Sequence, residues 1–189
     1  MENSSTILIA VVVLVVLGLA AWAVWRAQRR RALAQKYGPE YERLAADKGD
    51  AERAVRELEE RERRVSAFKL RELTPAKREH HLAQWNRVQT AFVDSPEQAT
   101  QDAHALLMDV MRDRGYPDAE LDQRQRDLSV NYPSLIEPYR EACAIAARRD
   151  GTSASTEDLR RATIVYRSLF EALLDDRKGK PSTNRREVA

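Results

Sequence analysis

The chain has 189 residues and a formal net charge of +2, with 33% charged residues and a single cysteine, Cys143, which excludes an intramolecular disulfide. The charge is uneven: residues 26–36 carry five bases and no acid, residues 177–189 carry five bases and one acid, and residues 37–176 hold 22 bases against 28 acids, a net charge of −6. This mildly acidic body disfavours nucleic-acid binding through a basic face.

An apolar segment at residues 7–25 opens the chain, and only Gly18 in it falls outside the apolar set. As a helix it would span about 28 Å, close to the roughly 30 Å thickness of a bilayer's hydrocarbon core. A secretory signal has a basic start and a shorter apolar core, whereas residues 1–6 contain Glu2 and no Lys or Arg. The sequence therefore favours a retained transmembrane helix over a cleaved signal.

Charge asymmetry around this segment predicts its orientation. Four arginines follow Trp25 within six residues, and no Lys or Arg precedes Ile7. By the positive-inside rule, residues 1–6 form a short extracytoplasmic N-terminus, and the C-terminal domain is cytoplasmic. Residues 26–38 form a basic juxtamembrane segment that should attract the anionic inner leaflet. The predicted membrane-interface residues are Trp22, Trp25, Arg26, Arg29, Arg30 and Arg31.

The next segment, residues 39–73, is predicted to be a long charged helix followed by an extended connector. Gly38-Pro39 ends the first helix, and the new helix runs over 40–66 before a connector at 68–73. Its apolar stripe is Leu44, Ala51, Leu58 and Val65, one residue in every seven. Sustained heptads would indicate a coiled coil and a homo-oligomer through 40–66, but Asp47 and Arg61 occupy the second apolar position. The favoured interpretation is that the stripe packs on its own domain.

Residues 74–176 are predicted to form the helical domain. Proline, glycine and capping residues divide it into helices over about 75–93, 96–114, 118–128, 134–148 and 155–176. Thr74-Pro75 opens the first, Gly115 closes the second, and Ser155-x-x-Asp158 forms a capping box for the last. No segment alternates with period two, so the fold class is all-α: a transmembrane helix, a long charged helix and a compact bundle of about five short helices. Residues 177–189 are predicted to be a disordered basic tail.

Residue patterns typical of catalysis are missing from the sequence. His80, His81 and His104 lack the three- or four-residue spacing of helical metal ligands, and Cys143 lies in an apolar helical stretch that indicates a core residue. The chain has no phosphate-binding loop, nucleophile elbow or dinucleotide fingerprint. We therefore expect no catalytic, cofactor-binding or metal-binding residues, and we predict that the protein is not an enzyme.

Three corners rich in aromatic residues and arginine are candidate partner-binding sites, because protein interfaces favour these residue types. The candidate residues are Trp85, Gln89, Phe92, Asp94, Arg114, Tyr116, Tyr132 and Arg140. The alternative is that the rings fill the core where helices turn, with Asp94 as a helix cap. The function expected is a membrane-anchored cytoplasmic helical domain that binds an unidentified protein partner as an adaptor or scaffold. The alternatives are an exported soluble protein with a cleaved signal and a peripheral module that senses anionic lipid.

The same corners carry a resemblance to known sequences. The residues involved are Trp85-x-x-Val88-Gln89-x-x-Phe92-Val93-Asp94-x-Pro96, Arg114-Gly115-Tyr116-Pro117, Leu128-Ser129-Val130-x-Tyr132-Pro133 and Tyr139-Arg140. With them the chain resembles, over about residues 37–175, a family of uncharacterised bacterial proteins that have one N-terminal apolar segment. The resemblance implies a bacterial origin and a membrane context, so the membrane expected is the bacterial inner membrane. It carries over no activity, cofactor or catalytic residue.

Overall fold

A computed structural model describes the backbone of residues 2–147 and 154–175, and the side chains from Val12 onward within those ranges. This part of the chain forms eight α-helices and contains no strand, which confirms the predicted all-α class. The predicted tail at 177–189 lies outside the described residues. The chain divides into two compact units, residues 1–55 and 56–189, and each is described by itself.

The first unit begins with one unbroken helix, α1 (Glu2–Tyr37), which contains both the apolar segment and the basic segment. Gly38, at φ 48°, ends α1, and α2 (Pro39–Lys48) begins with proline at its first position. Helix α3 (Ala51–Ser66) follows after Gly49 and continues across the boundary into the second unit.

The single long helix predicted over 40–66 is wrong, because Gly49 divides it. Gly49 adopts a left-handed backbone with φ 64°, a conformation that glycine takes without steric cost, and its N–H donates to the Ala46 carbonyl. Asp50 then accepts a hydrogen bond from the Glu52 N–H at 2.9 Å, which supports the first turn of α3. The regular stripe of Leu44, Ala51 and Leu58 therefore continues across a helix break.

Burial in the first unit follows one face of the C-terminal part of α1. Leu33 and Tyr37, four residues apart, are each 1% exposed, and α2 packs back on α1 with Leu44 buried. Glu40 is fully buried and pairs with Arg43 at 3.2 Å, so its charge is compensated. The last third of α1 is therefore a structural part of the first unit.

The second unit contains the rest of α3 and five further helices, as predicted for the bundle. These helices are α4 (Pro75–Ala91), α5 (Pro96–Arg114), α6 (Leu121–Asn131), α7 (Pro133–Ala146) and α8 (Thr156–Leu174). Helix α8 packs on α5 and α7, α4 packs on α5, and α6 packs on α7. One hydrophobic core joins them, and its large side chains include Trp85, Leu107, Tyr139, Tyr166 and Phe170.

The local signals for helix ends are confirmed. The Thr74 side chain accepts a hydrogen bond from the Lys77 N–H at 3.3 Å, and Ser155 and Asp158 form the capping box of α8. Helix α6 differs from its predicted range of 118–128, since it begins and ends three residues later. Its last turn buries Leu128, Ser129 and Val130, so tertiary packing extends this helix further than local propensity indicates.

The predicted connector between α3 and α4 is non-helical and docks on the end of α5. The Arg71 N–H donates to the Arg114 carbonyl at 2.9 Å, and Arg71 Nε donates to the Asp113 carbonyl at 2.8 Å. Gly115 ends α5 with φ 92°, and a Cβ placed there would lie 2.6 Å from the Lys69 carbonyl oxygen. Glycine is therefore required here both for its backbone conformation and for the close approach of the connector.

Candidate functional site

The apolar part of α1 is exposed along its described length. Every residue from Val12 to Trp25 is exposed, and the large apolar side chains among them are 49–68% exposed. By length and composition this helix is able to cross a membrane, although an N-terminal signal sequence has the same properties. A continuous apolar surface of this kind is a mark of contact with a membrane or another protein.

At Arg26 the helix changes from exposed to partly buried. Arg26 Nε donates to Glu52 Oε1 at 3.0 Å, which ties α1 to the start of α3. Arg26 and Arg29 are half-buried, and intervals of three, four and four residues place Arg26, Arg29, Leu33 and Tyr37 along one helix face. Two of the four predicted interface arginines therefore lie on the face of α1 that packs against protein.

The other predicted interface residues are exposed. Arg31 is exposed, and Arg30 is exposed while its Nε donates to the Tyr41 hydroxyl at 3.2 Å. Trp22 and Trp25 are exposed at the end of the apolar segment, and the Arg26 guanidinium lies 5.4 Å from the centre of the Trp22 ring. The structure thus divides the set into four exposed and two half-buried residues.

The first aromatic corner is partly interior. Trp85 is buried and stacks on Phe170 of α8, with ring centres 4.9 Å apart and planes 27° apart. Phe92 is partly buried against the core, whereas Gln89 and Asp94 are exposed. Ser95 occupies the N-cap position of α5, so the cap role weighed for Asp94 is wrong. The exposed candidate residues of this corner therefore lie in the last turn of α4, for Gln89, and in the turn between α4 and α5, for Asp94.

The structure brings the second and third corners together in the interior. Arg114, Tyr116 and Tyr132 are all buried, and Asn131 Nδ2 donates to the Tyr116 hydroxyl at 2.8 Å. Burial raises the pKa of both tyrosines, so both hydroxyls stay protonated at neutral pH. Arg140 is half-buried and pairs with Glu137 on its own helix. These residues join the segment after α5 to the junction of α6 and α7.

Two polar contacts to buried side chains of α6 hold α3 to α6, and the sequence interpretation missed both. Arg61, 5% exposed, donates to the Ser129 hydroxyl at 3.3 Å and pairs with Glu57 at 3.1 Å. Arg64 Nε pairs with the buried Asp127 carboxylate at 3.0 Å. The sequence did contain a signal for this contact. Arg61 occupies the second apolar position of the heptad, where a charged residue that becomes buried needs a partner.

A buried histidine was also missed. His81 is 3% exposed, and its Nε2 lies 3.0 Å from Asp113 Oδ2. Lys77 also donates to this carboxylate, and that hydrogen bond holds the pKa of Asp113 below its ordinary value. The three side chains form a polar link between α4 and the last turn of α5. Asp113 is 32 residues away in the sequence, so no local pattern indicates the pairing.

The single cysteine lies in an aromatic cluster. The Tyr166 hydroxyl lies 4.0 Å from Cys143 Sγ, and the His104 ring packs beside Tyr139 and Tyr166. Burial raises the pKa of Cys143, which keeps the thiol in its protonated, poorly nucleophilic form, and burial lowers the pKa of His104. Among the described residues, no three or more His, Cys, Asp or Glu side chains are grouped so that they could hold a metal ion.

Comparisons with known proteins add no relative. No family model matches the chain, and no curated protein or solved structure matches it either. The resemblance over residues 37–175 therefore stays a prediction.

Proposed function

We propose that this chain is a single-pass membrane protein whose helical domain lies in the cytoplasm and binds a protein partner as an adaptor or scaffold. One observation is the main support for the proposed membrane anchor. Helix α1 runs unbroken from an exposed apolar segment into a segment where Leu33 and Tyr37 are buried in the first unit. The proposed membrane-spanning segment and the segment that packs in the first unit therefore belong to one continuous helix.

The composition of the apolar segment supports insertion. Its twelve Ile, Val and Leu residues each favour insertion by about 0.3–0.6 kcal/mol, roughly 5 kcal/mol in total. A cleaved signal is the competing interpretation, and Ala21-Trp22-Ala23 has the small-x-small form of a cleavage site. That tripeptide lies inside the continuous helix α1, which supports retention of the segment.

The proposed orientation rests on charge. Four arginines follow Trp25, whereas the six residues before the apolar segment contain no Lys or Arg. The positively charged flank of a membrane-spanning helix stays in the cytoplasm. In this orientation α1 spans the inner membrane of a bacterium, and the domain after α1 lies in the cytoplasm.

Cysteine accessibility tests anchor and orientation together. Asn86 is exposed on α4, whereas Cys143 is buried with a raised pKa, so the wild-type chain is an unreactive control for Asn86→Cys. In bacterial spheroplasts we expect a membrane-impermeant maleimide to label the variant only after lysis. Labelling of intact spheroplasts would place the domain outside the cytoplasm. Recovery of the chain in the soluble fraction would contradict the proposed membrane anchor.

The adaptor role rests on the exposed turn between α4 and α5. Val93 is 83% exposed there, next to Phe92 and Asp94, which makes it the most exposed large apolar side chain of the described residues. A photo-crosslinking residue at Val93 is expected to give a discrete adduct in membranes, and Ile164 on α8, 48% exposed, provides the matched control position. Equal adducts at both positions, or none at either, would contradict a partner site at this turn.

A further inference from the structure

The basic end of α1 contains two kinds of arginine, which the sequence alone does not distinguish. Arg26 and Arg29 are half-buried on the face that continues to Leu33 and Tyr37. Arg30 and Arg31 are exposed. Successive residues of a helix point about 100° apart, so Arg31 lies on the side of α1 roughly opposite the buried Leu33.

Arg26 is already neutralised within the protein. Its guanidinium makes two hydrogen bonds to the Glu52 carboxylate, one of them at 3.0 Å from Nε to Oε1. A paired arginine offers little net charge to a second anion, because the carboxylate opposes the approach of that anion. Arg26 therefore serves to hold α3 against the anchor helix.

Arg30 and Arg31 are at the right depth to meet lipid headgroups. They follow Trp25 by five and six residues, about 8–9 Å along the helix axis. The headgroup region extends roughly 5–8 Å beyond the hydrocarbon core, and arginine side chains reach back toward it along the helix. With Trp25 at the interface, where indole rings prefer to lie, both guanidinium groups are within reach of the phosphates.

We infer that Arg30 and Arg31 bind the phosphate groups of anionic phospholipids in the leaflet next to the domain, while Arg26 and Glu52 form an internal tie. This inference rests on the proposed membrane anchor. The charge of the chain supports it: residues 26–55 hold eight bases and five acids, whereas residues 56–189 hold 24 of each. Guanidinium groups suit phosphate because they form two parallel hydrogen bonds.

Tryptophan quenching in vesicles tests the inference on the full chain. The protein is placed in phosphatidylcholine vesicles containing a minor share of dibrominated phosphatidylglycerol, or the same share of dibrominated phosphatidylcholine in a phosphatidylglycerol-containing background. Trp22 and Trp25 report the lipids around the anchor, and Trp85 is buried in the core as a constant background. We expect stronger quenching by the anionic lipid, with about fivefold enrichment per arginine, which corresponds to ~1 kcal/mol each.

Charge-matched variants identify the residues responsible. R30Q with R31Q is expected to abolish the preference for phosphatidylglycerol, whereas R160Q with R161Q removes the same charge from exposed positions on α8 and is expected to preserve it. R26Q with E52Q removes an internal pair without a net charge change, so the preference should stay. E52Q alone releases Arg26 and should increase it.

The outcomes separate the inference from the function on which it rests. Equal quenching by the two brominated lipids would overturn lipid binding by Arg30 and Arg31 while leaving the span intact. Loss of preference in R26Q with E52Q equal to the loss in R30Q with R31Q would overturn the division between the two kinds of arginine. Absence of quenching by either lipid would overturn the membrane span itself.

Discussion

Replacing Gly115 by alanine tests the contact between the connector and the end of α5. The backbone there has φ 92°, and a Cβ would lie 2.6 Å from the Lys69 carbonyl oxygen and 3.3 Å from its carbon. Both neighbouring atoms belong to the backbone, so no side-chain rotation relieves the clash. The connector must shift, and its hydrogen bond from the Arg71 N–H to the Arg114 carbonyl must lengthen or break.

The expected loss of stability has two parts. A non-glycine residue in the left-handed region costs about 1–2 kcal/mol, of which the stiffer unfolded chain offsets roughly 0.4–1 kcal/mol. Displacing the connector and losing a backbone hydrogen bond adds about 1–2 kcal/mol. We expect G115A to lower the free energy of unfolding by about 2–3 kcal/mol, or Tm by roughly 4–12 °C for a chain of this size.

Gly49→Ala is the matched control. Gly49 also has a left-handed backbone, with φ 64°, but a Cβ placed there meets no atom within 4 Å. Thermal unfolding followed by far-ultraviolet circular dichroism in detergent should show a small loss for G49A and a clearly larger one for G115A. Equal losses would refute the close approach of the connector, because the backbone cost alone would then explain both variants.

Three further predictions concern the second unit. Trp85→Ala should lower the free energy of unfolding by about 3–5 kcal/mol, because it empties the buried site stacked on Phe170; denaturant titration measures this. Asp127→Asn should cost about 1–3 kcal/mol in the same assay, since it removes a buried, charge-assisted partner of Arg64. His104 has a lowered pKa in the folded state, so the unfolded chain binds its proton first as the pH falls below about 6.5. Stability should therefore decrease from pH 7 toward pH 5, and His104→Gln should flatten that decrease.

Each of these has an outcome that would contradict it. A Trp85 variant as stable as the wild type would mean that the ring is solvated. A loss in Asp127→Asn no larger than in Asp109→Asn, where the carboxylate is half exposed, would mean that burial does not strengthen the contact. An unchanged pH dependence between pH 7 and pH 5 in His104→Gln would mean that His104 does not cause the decrease; Asp113, whose pKa is also lowered, affects stability only below about pH 4.

Helix ends were predictable because their causes are local. The Thr74 cap, the Ser155–Asp158 box and the Gly115 terminus each depend on residues three or four positions apart. The helix break at Gly49 was harder to predict, because the apolar stripe on both sides of it fits a continuous helix equally well. The left-handed glycine that ends α2 becomes visible only in the folded backbone.

The contacts that the sequence interpretation missed join distant residues. Arg61 meets Ser129 across 68 positions, and His81 meets Asp113 across 32. Composition predicts that the arginines after the apolar segment are interface residues, but it does not show that Arg26 pairs with Glu52, which is 26 positions beyond it. A single sequence shows which residues are charged and spaced for a helix face. The partner of each face is determined by packing.

The junction between anchor and domain has a consequence for the proposed adaptor role. No glycine or proline occurs between Gly18 and Gly38, so α1 crosses the proposed membrane surface without a residue that favours a hinge. The first unit, which packs on this helix, would then stay at a nearly constant height above the bilayer, whereas a flexible linker would let it sample a larger volume. Tethering raises the effective concentration of a partner only where the geometry lets both bind at once. A partner that is itself at the membrane, at the height of the first unit, therefore gains most from this anchor.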